Sequence, residues 1–109
     1  MHRQEPFVYK EIANIDPNVD FRINIIGKII EKREDMLIVD DGTGNIIVNL
    51  SSDTIKPELK GNEMVRVFGI VLPTQPLQMQ ANIIQDFSNL NLEILKTWKK
   101  IYHDFKEEE

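Results

Sequence analysis

The chain has 109 residues, no cysteine, and 18 acidic against 13 basic side chains, for a net charge of −5. This length predicts one domain with a modest core, and the lack of cysteine excludes disulfides and thiolate metal sites. The histidines, His2 and His103, both lie near the termini, so we expect no histidine-based metal or catalytic site. The acidic balance argues against a protein that grips nucleic acid strongly by itself.

Residues 1–18 show no regular alternation, and Pro6 and Pro17 interrupt them. We expect this segment to be an N-terminal extension that packs on one end of the domain. Its apolar side chains Ile12 and Ile15 are the candidates for covering that end.

Residues 19–88 predict a barrel, because alternating apolar and polar side chains recur in five segments separated by turn residues. The predicted strands span 19–33, 36–40, 45–50, 63–72 and 77–87. Gly27 inside the first strand predicts a bulge or a sharp bend. In the last strand we expect Ile83 to face the core together with Met79 and Ala81.

Between the second and third predicted strands lies a turn of sequence DDGTG, residues 40–44. Its glycines provide positive φ, and its acids can accept hydrogen bonds from nearby backbone N–H groups. Asp40 and Asp41 are neighbours on a strand end and point to opposite faces, so we interpret them as turn formers. Neither a metal site nor an acid–base pair is expected, and no phosphate-binding loop or cofactor site is recognisable.

Residues 89–109 predict an amphipathic helix, since apolar side chains recur at spacings of three and four. The apolar stripe consists of Leu92, Leu95, Trp98, Ile101, Tyr102 and Phe105. It extends over about 22 Å at 1.5 Å per residue, longer than the mouth of a small barrel. We therefore predict that it binds a partner subunit or a second copy of the chain; the alternative is that it covers its own barrel.

Five strands followed by a helix match the OB-fold, a partly open Greek-key barrel. Four segments carry a resemblance to known proteins: IANIDPN (12–18), IIGKI (25–29), VDDGTGNI (39–46) and KGNEMVRVFG (60–69). They resemble OB domains of the single-stranded DNA-binding family, such as the middle and small subunits of replication protein A and their archaeal relatives. The VDDGTGNI segment is equally similar to the OB subunits of telomere-capping complexes.

The resemblance implies a surface that contacts single-stranded DNA, which requires basic side chains and exposed aromatic rings. The candidates are Arg22, Lys28, Lys32, Arg33, Arg66 and Phe68. The alternative is that Phe68 packs against its own chain and that the basic side chains are merely solvated. Many DNA-binding members of the family carry an aromatic residue just after the third strand, where this chain has Ser51 and Ser52.

Together these features predict an accessory subunit of a replication protein A-like complex, which is not an enzyme and assembles through its C-terminal helix. Its expected partners are single-stranded DNA, bound weakly or in a shared groove, and another OB-fold subunit. The alternative is a scaffold subunit that binds no nucleic acid. No apolar stretch reaches transmembrane length, and the N-terminus lacks a signal-peptide core. We therefore expect no membrane partner, and a location in the cytoplasm, associated with the nucleoid, or in the nucleus of a eukaryote.

Overall fold

The computed structural model describes residues 7–88 together with Thr97, Lys100 and Ile101. Six strands follow one another along the chain, and a short 3-10 turn at Ile12–Asn14 lies between the first two. The strands are β1 Val8–Tyr9, β2 Arg22–Lys32, β3 Met36–Asp40, β4 Asn45–Asn49, β5 Met64–Leu72 and β6 Gln78–Asp86.

Strands β2 to β6 form a closed five-stranded barrel, as the sequence predicts for an OB-fold. Strand β2 closes it by pairing with two neighbours, with β5 over Arg22–Lys28 and with β3 over Lys28–Lys32. The remaining pairs are β3 with β4 and β5 with β6, both antiparallel, and β4 with β6, which is parallel. Gly27 lies just before Lys28, the residue that pairs with both neighbours, and a Cβ atom on it would lie 2.7 Å from the carbonyl oxygen of Asp40. The irregularity predicted at Gly27 lies instead between Ile29 and Glu31, where the pairing with β3 shifts register.

The core lies inside the barrel and is made of aliphatic side chains from every barrel strand. Its most deeply buried members are Ile23, Ile25, Ile29, Leu37, Val39, Ile46, Val48, Val65, Val67 and Met79. Ile12 and Ile15 from the N-terminal segment belong to the same cluster. β-Branched residues dominate because they suit both the pleated backbone and the narrow interior.

Two expectations about the start of the chain are wrong. The segment before residue 19 is not wholly irregular, because β1 pairs in parallel with β2, with Val8 opposite Ile23. The long first strand begins at Arg22 and not at residue 19, and the side chains of Val19 and Phe21 are 77% and 56% exposed. The N–H groups of Val19 and Asp20 both donate to the carbonyl oxygen of Asp16, so the chain forms a turn just before the strand begins.

The expectation for Ile83 is also wrong, and a β-bulge is the reason. Phe68 pairs with Ile83, but the next residue, Gly69, pairs with Ala81. The extra residue on β6 reverses the alternation, so that Ile84 is buried and Ile83 lies on the outer face. A Cβ atom on Gly69 would lie only 2.2 Å from the carbonyl oxygen of Gln80, which explains the glycine at this close approach.

The DDGTG turn joins β3 to β4 and uses its acids as turn formers, as predicted. The carboxylate of Asp40 accepts a hydrogen bond from the N–H of Gly42, whose φ is +91°, and that of Asp41 accepts one from Thr43. The turn also holds the N-terminal segment, because the N–H of Ile12 donates to Asp41 at 2.9 Å. This turn therefore fixes the 3-10 turn that covers one end of the barrel.

The structure describes only three residues of the predicted C-terminal helix. No α-helix with defined ends occurs among the described residues; Thr97, Lys100 and Ile101 each have helical backbone and exposed side chains. The rest of 89–109 lies outside the described residues, so that the helix remains a prediction. No described helical segment has the length and apolar character needed to cross a membrane.

Candidate nucleic-acid interface

Two arginines and two phenylalanines form a single cluster on the outer face of β2 and β5. The rings of Phe7 and Phe68 meet edge to face, with 5.6 Å between their centroids and 74° between their planes. The guanidinium of Arg22 lies 5.4 Å from the centroid of Phe7, and that of Arg66 lies 4.7 Å from the centroid of Phe68. Each ring thus has a cation near it, an arrangement that stabilises both partners.

Asn24 connects this cluster to the strands and is only 2% exposed. Its amide nitrogen donates to the carbonyl oxygen of Phe7 at 2.9 Å, and its amide oxygen accepts from Nε of Arg66 at 3.2 Å. One buried side chain therefore holds both the N-terminal aromatic residue and the β5 arginine. We did not expect this role from the sequence, because a lone asparagine on the polar face of a strand carries no distinctive signal.

An open groove of about 550 Å³ runs beside this cluster, between β6 and the connector that follows β4. Phe7 and Arg22 form one end, and Ser51 and Asp53 lie along its wall on the connector. Aliphatic side chains and amides line the remainder: Ile55, Ile70, Gln80, Asn82 and Ile83. Ile55 is 67% exposed although it lies at a concave surface, so the groove offers apolar contact as well as charge.

Of the six predicted DNA-contacting residues, the structure brings together Arg22, Arg66 and Phe68. The other three lie toward the far end of β2, which is about 33 Å long at 3.3 Å per residue. Lys28 lies opposite Asp40 and Lys32 lies near Gly61, both with exposed side chains. The candidates thus divide into two groups and do not line one groove.

Arg33 is already engaged by an acid. Its Nε lies 2.6 Å from a carboxylate oxygen of Glu31, and that hydrogen bond, together with the charge, raises the pKa of the guanidinium. An incoming phosphate would have to compete with this carboxylate. Of the helical stripe, Ile101 is 61% exposed, and the other members Leu92, Leu95, Trp98, Tyr102 and Phe105 lie outside the described residues.

A second acidic side chain has a structural role. The carboxylate of Glu63 accepts hydrogen bonds from the N–H groups of Lys60, Gly61 and Asn62 at 2.6, 2.8 and 3.0 Å. These bonds, that from Lys60 above all, lower the pKa of Glu63 to about 2. Glu63 therefore shapes the turn before β5, and within the part of the chain that the structure describes no cluster of acids or histidines could hold a metal ion.

Sequence reasoning missed the residues that reach the groove from outside the barrel strands. Phe7 arrives there because β1 adds to β2 in parallel, a pairing between distant segments with no local signal. Ile55 arrives because its N–H donates to the carbonyl oxygen of Asn82 at 2.9 Å, which lays the connector along β6. The only indication in the sequence that the N-terminal segment contributes to the site is its pair of aromatic residues, Phe7 and Tyr9.

Comparison with known proteins identifies the fold. No family model matches the chain, and no curated protein matches it by sequence. Among solved structures, the telomere-capping protein Ten1 from Saccharomyces pombe superposes with a TM-score of 0.69 at 12% identity, over 90% of this chain and 96% of that one. A chain of the S. pombe Stn1–Ten1 complex gives 0.66 at 12% identity, over 94% of both chains. The E. coli protein ygiW gives 0.50 at 19% identity, over 75% of this chain and 90% of that one. At these identities the likeness establishes the OB-fold that the sequence predicted.

Proposed function

We propose that this protein is an accessory OB-fold subunit of a single-stranded DNA-binding complex of the replication protein A type, and that its role is binding and not catalysis. One observation carries the proposal: this chain and a chain of the Stn1–Ten1 complex superpose over 94% of the length of each. That structure contains two named subunits, and this supports a second OB-fold subunit as the partner here. In a eukaryote the location would be the nucleus.

The DNA contact that we propose lies at the groove beside Phe7. Base stacking on an aromatic side chain contributes about 1–3 kcal/mol per base, and Arg22 supplies a positive charge for a phosphate. Arg66 contributes less directly, since it is already bonded to Asn24 and stacked on Phe68. Among the described residues Arg22 is the one cation that lines the groove, and with a net charge of −5 this predicts weak binding that becomes useful when a partner extends the groove.

Fluorescence anisotropy with a labelled oligothymidylate, at low and moderate salt, tests the DNA contact. We expect binding that weakens as salt rises, because phosphate contacts release counterions. Arg22→Ala and Phe7→Ala should weaken it, whereas Lys32→Ala, at the other end of β2, should leave it unchanged. Absence of salt-sensitive binding, both for the chain alone and for the complex with its partner, would refute this part of the proposal.

Assembly through the C-terminal stripe is tested by size-exclusion chromatography with light scattering. The partner is first identified by pull-down of the native chain and mass spectrometry, and the complex is then reconstituted from the purified proteins. Trp98→Asp should abolish the complex, and Glu93→Asp, a change among the polar positions of the same predicted helix, should not. A complex that survives Trp98→Asp, or an unpartnered chain that is monomeric with and without that change, would favour the stripe as a cover for its own barrel.

The second candidate is a scaffold subunit that makes no DNA contact. The ion pair between Arg33 and Glu31 and the contacts of Phe68 with Arg66 and Phe7 favour it, because both engage groups that DNA would need. The double variant Phe68→Ala, Arg66→Ala separates the two candidates. DNA affinity that is present in the wild type and lost in the double variant supports the DNA-binding subunit. A wild-type chain that assembles an intact complex but has no DNA affinity supports the scaffold.

A further inference from the structure

The outer face of β3 and β4 has a chemistry unlike that of a nucleic-acid surface. OB-folds that bind oligonucleotides use the outer face of the second and third barrel strands, which here are β3 and β4. The six outward positions of these strands are Met36, Ile38, Asp40, Asn45, Ile47 and Asn49. They include no aromatic ring and no cation, the two groups on which single-strand binding depends.

The aliphatic members of this face are neighbours on β3 and β4, and β2 adds one more aliphatic side chain near them. Ile38 lies directly opposite Ile47, and Glu31 of β2 lies opposite Ile38. Next to Glu31 lies Ile30, the extra residue at the register shift between β2 and β3, and its side chain is 54% exposed. Ile38, Ile47 and Met36 are half-buried. A contiguous apolar row on a sheet surface is the usual mark of a contact with another molecule. We call Met36, Ile30, Ile38 and Ile47 the aliphatic row.

The border of the aliphatic row is acidic. Glu34 and Asp35 are exposed in the turn that leads into β3, and Glu31 and Asp40 lie on the flanking strands. The nearby cations are Arg33, already 2.6 Å from Glu31, Lys28, opposite Asp40, and the exposed Lys32 at the end of β2. The four acids outnumber these three bases, so the border carries a net negative charge, which disfavours phosphate and favours Lys or Arg side chains.

We propose that the aliphatic row binds a basic, amphipathic segment of a partner protein, with aliphatic side chains on the row and Lys or Arg side chains on its acidic border. DNA is disfavoured by the same acids. A second copy of the chain is also disfavoured, because pairing this face with itself would bring two acidic borders together. The face is separate from the groove beside Phe7, so one molecule has room for a DNA strand and a protein segment together.

The test uses the full-length, isotope-labelled chain and three probes followed by amide chemical shifts. The probes are a helical peptide of Leu and Lys, a length-matched peptide of Leu and Glu, and an oligothymidylate. We expect the Lys peptide to shift amides of β3, β4 and the β2–β3 turn, and the Glu peptide to leave them unchanged. Equal effects of both peptides, shifts that map elsewhere, or oligothymidylate shifts on the aliphatic row would each overturn the proposal.

Variants give the second readout. Ile38→Ser with Ile47→Ser should weaken the Lys peptide by about tenfold, since few residues dominate an interface. Glu34→Lys with Asp35→Lys, at exposed positions that leave the core untouched, should weaken it similarly. Ile55→Ser removes an exposed isoleucine from the groove beside Phe7, away from the aliphatic row, and should have no effect on the Lys peptide. Unchanged affinity in the charge-reversed variant contradicts the proposal even if the double serine variant unfolds. Oligothymidylate binding at the Phe7 groove is measured separately, so failure of the proposed DNA contact can be distinguished from failure of peptide binding at the aliphatic row.

Discussion

The carboxylate of Asp41 accepts a hydrogen bond from the backbone N–H of Ile12, residues that belong to the β3–β4 turn and to the N-terminal segment. Thr43 strengthens the same junction, because its hydroxyl accepts from the N–H of Ala13 at 3.1 Å. A turn that the sequence marks as a hairpin thus also anchors the segment that covers one end of the barrel.

Asp41→Ala should destabilise the protein by about 1–3 kcal/mol, because it leaves the N–H groups of Ile12 and Thr43 without their acceptor. Urea denaturation followed by circular dichroism measures this loss. Glu58→Ala, which removes an exposed carboxylate from the connector, is the control and should stay within about 0.5 kcal/mol of wild type. Equal stability of both variants would mean that the junction contributes nothing.

Gly69→Ala should be among the most damaging single-methyl additions, with a loss of about 1–3 kcal/mol or more. Its Cβ would meet the carbonyl oxygen of Gln80 at 2.2 Å, so the backbone of β5 or β6 must move. Gly44→Ala adds the same methyl group where the nearest atom, Cγ2 of Ile12, is 3.4 Å away, and it should be nearly neutral. Chemical denaturation of the two variants side by side checks the contrast; similar losses would contradict the bulge geometry.

Glu63 should make the free energy of unfolding depend on pH in the acid range. Its pKa in the folded protein is about 2, below the ordinary value of 4.5, so its stabilisation is fully present above pH 4.5. That stabilisation is lost as the pH falls from 4.5 toward 2, because the unfolded state takes up the proton first. Glu63→Gln should therefore lower the free energy of unfolding at neutral pH, and the gap to wild type should narrow in acid.

The measurement is urea denaturation of both proteins at a series of pH values, with Glu58→Gln as the exposed control. The control should follow wild type throughout the series. If the difference in free energy of unfolding between Glu63→Gln and wild type stays constant with pH, then the charge of Glu63 does not contribute to stability.

Asn24→Ala should loosen the N-terminal strand more than the barrel. It removes the bonds to the carbonyl oxygen of Phe7 and to Arg66, and it leaves both groups poorly satisfied beside a buried site. Hydrogen exchange should therefore increase at Val8, Tyr9 and Lys10 before it increases in β3 or β4. Asn45→Ala, at an exposed position of β4, is the matched control; identical exchange in the two variants would remove Asn24 from its proposed role.

The sequence predicted the barrel because its strands carry local signals, and the Asp40–Gly44 turn and the alternation of Val65 and Val67 both correspond to observed features. Its errors have two sources. Ile83 and Ile84 exchange faces because of a bulge opposite Gly69, and such tertiary pairing is not recorded in the periodicity of a single strand. Val19 alternates like a strand residue in the sequence but lies in a turn in which its N–H donates to Asp16.

The candidate site was harder to predict than the fold. Alternation predicted that Arg22, Arg66 and Phe68 stand on the outer faces of barrel strands, and the structure brings them together there. Phe7 and Ile55 were not predicted, because they reach the groove through a parallel pairing and a single backbone bridge. The alternation of a strand predicts on which face of the sheet a residue lies, but it does not predict which loop packs against that face.

The pairing of β2 with both β3 and β5 has a consequence for how quickly the protein reaches its native state. The β3–β4 hairpin involves close neighbours and can form within about 1–10 μs. The seam between Arg22 and Ile70 joins segments that are far apart in the chain, and ordering the intervening residues costs entropy before any contact is gained. We expect barrel closure to be the slow step, so that a nascent chain stays open until β5 and β6, which joins β5 to β4, have been synthesised.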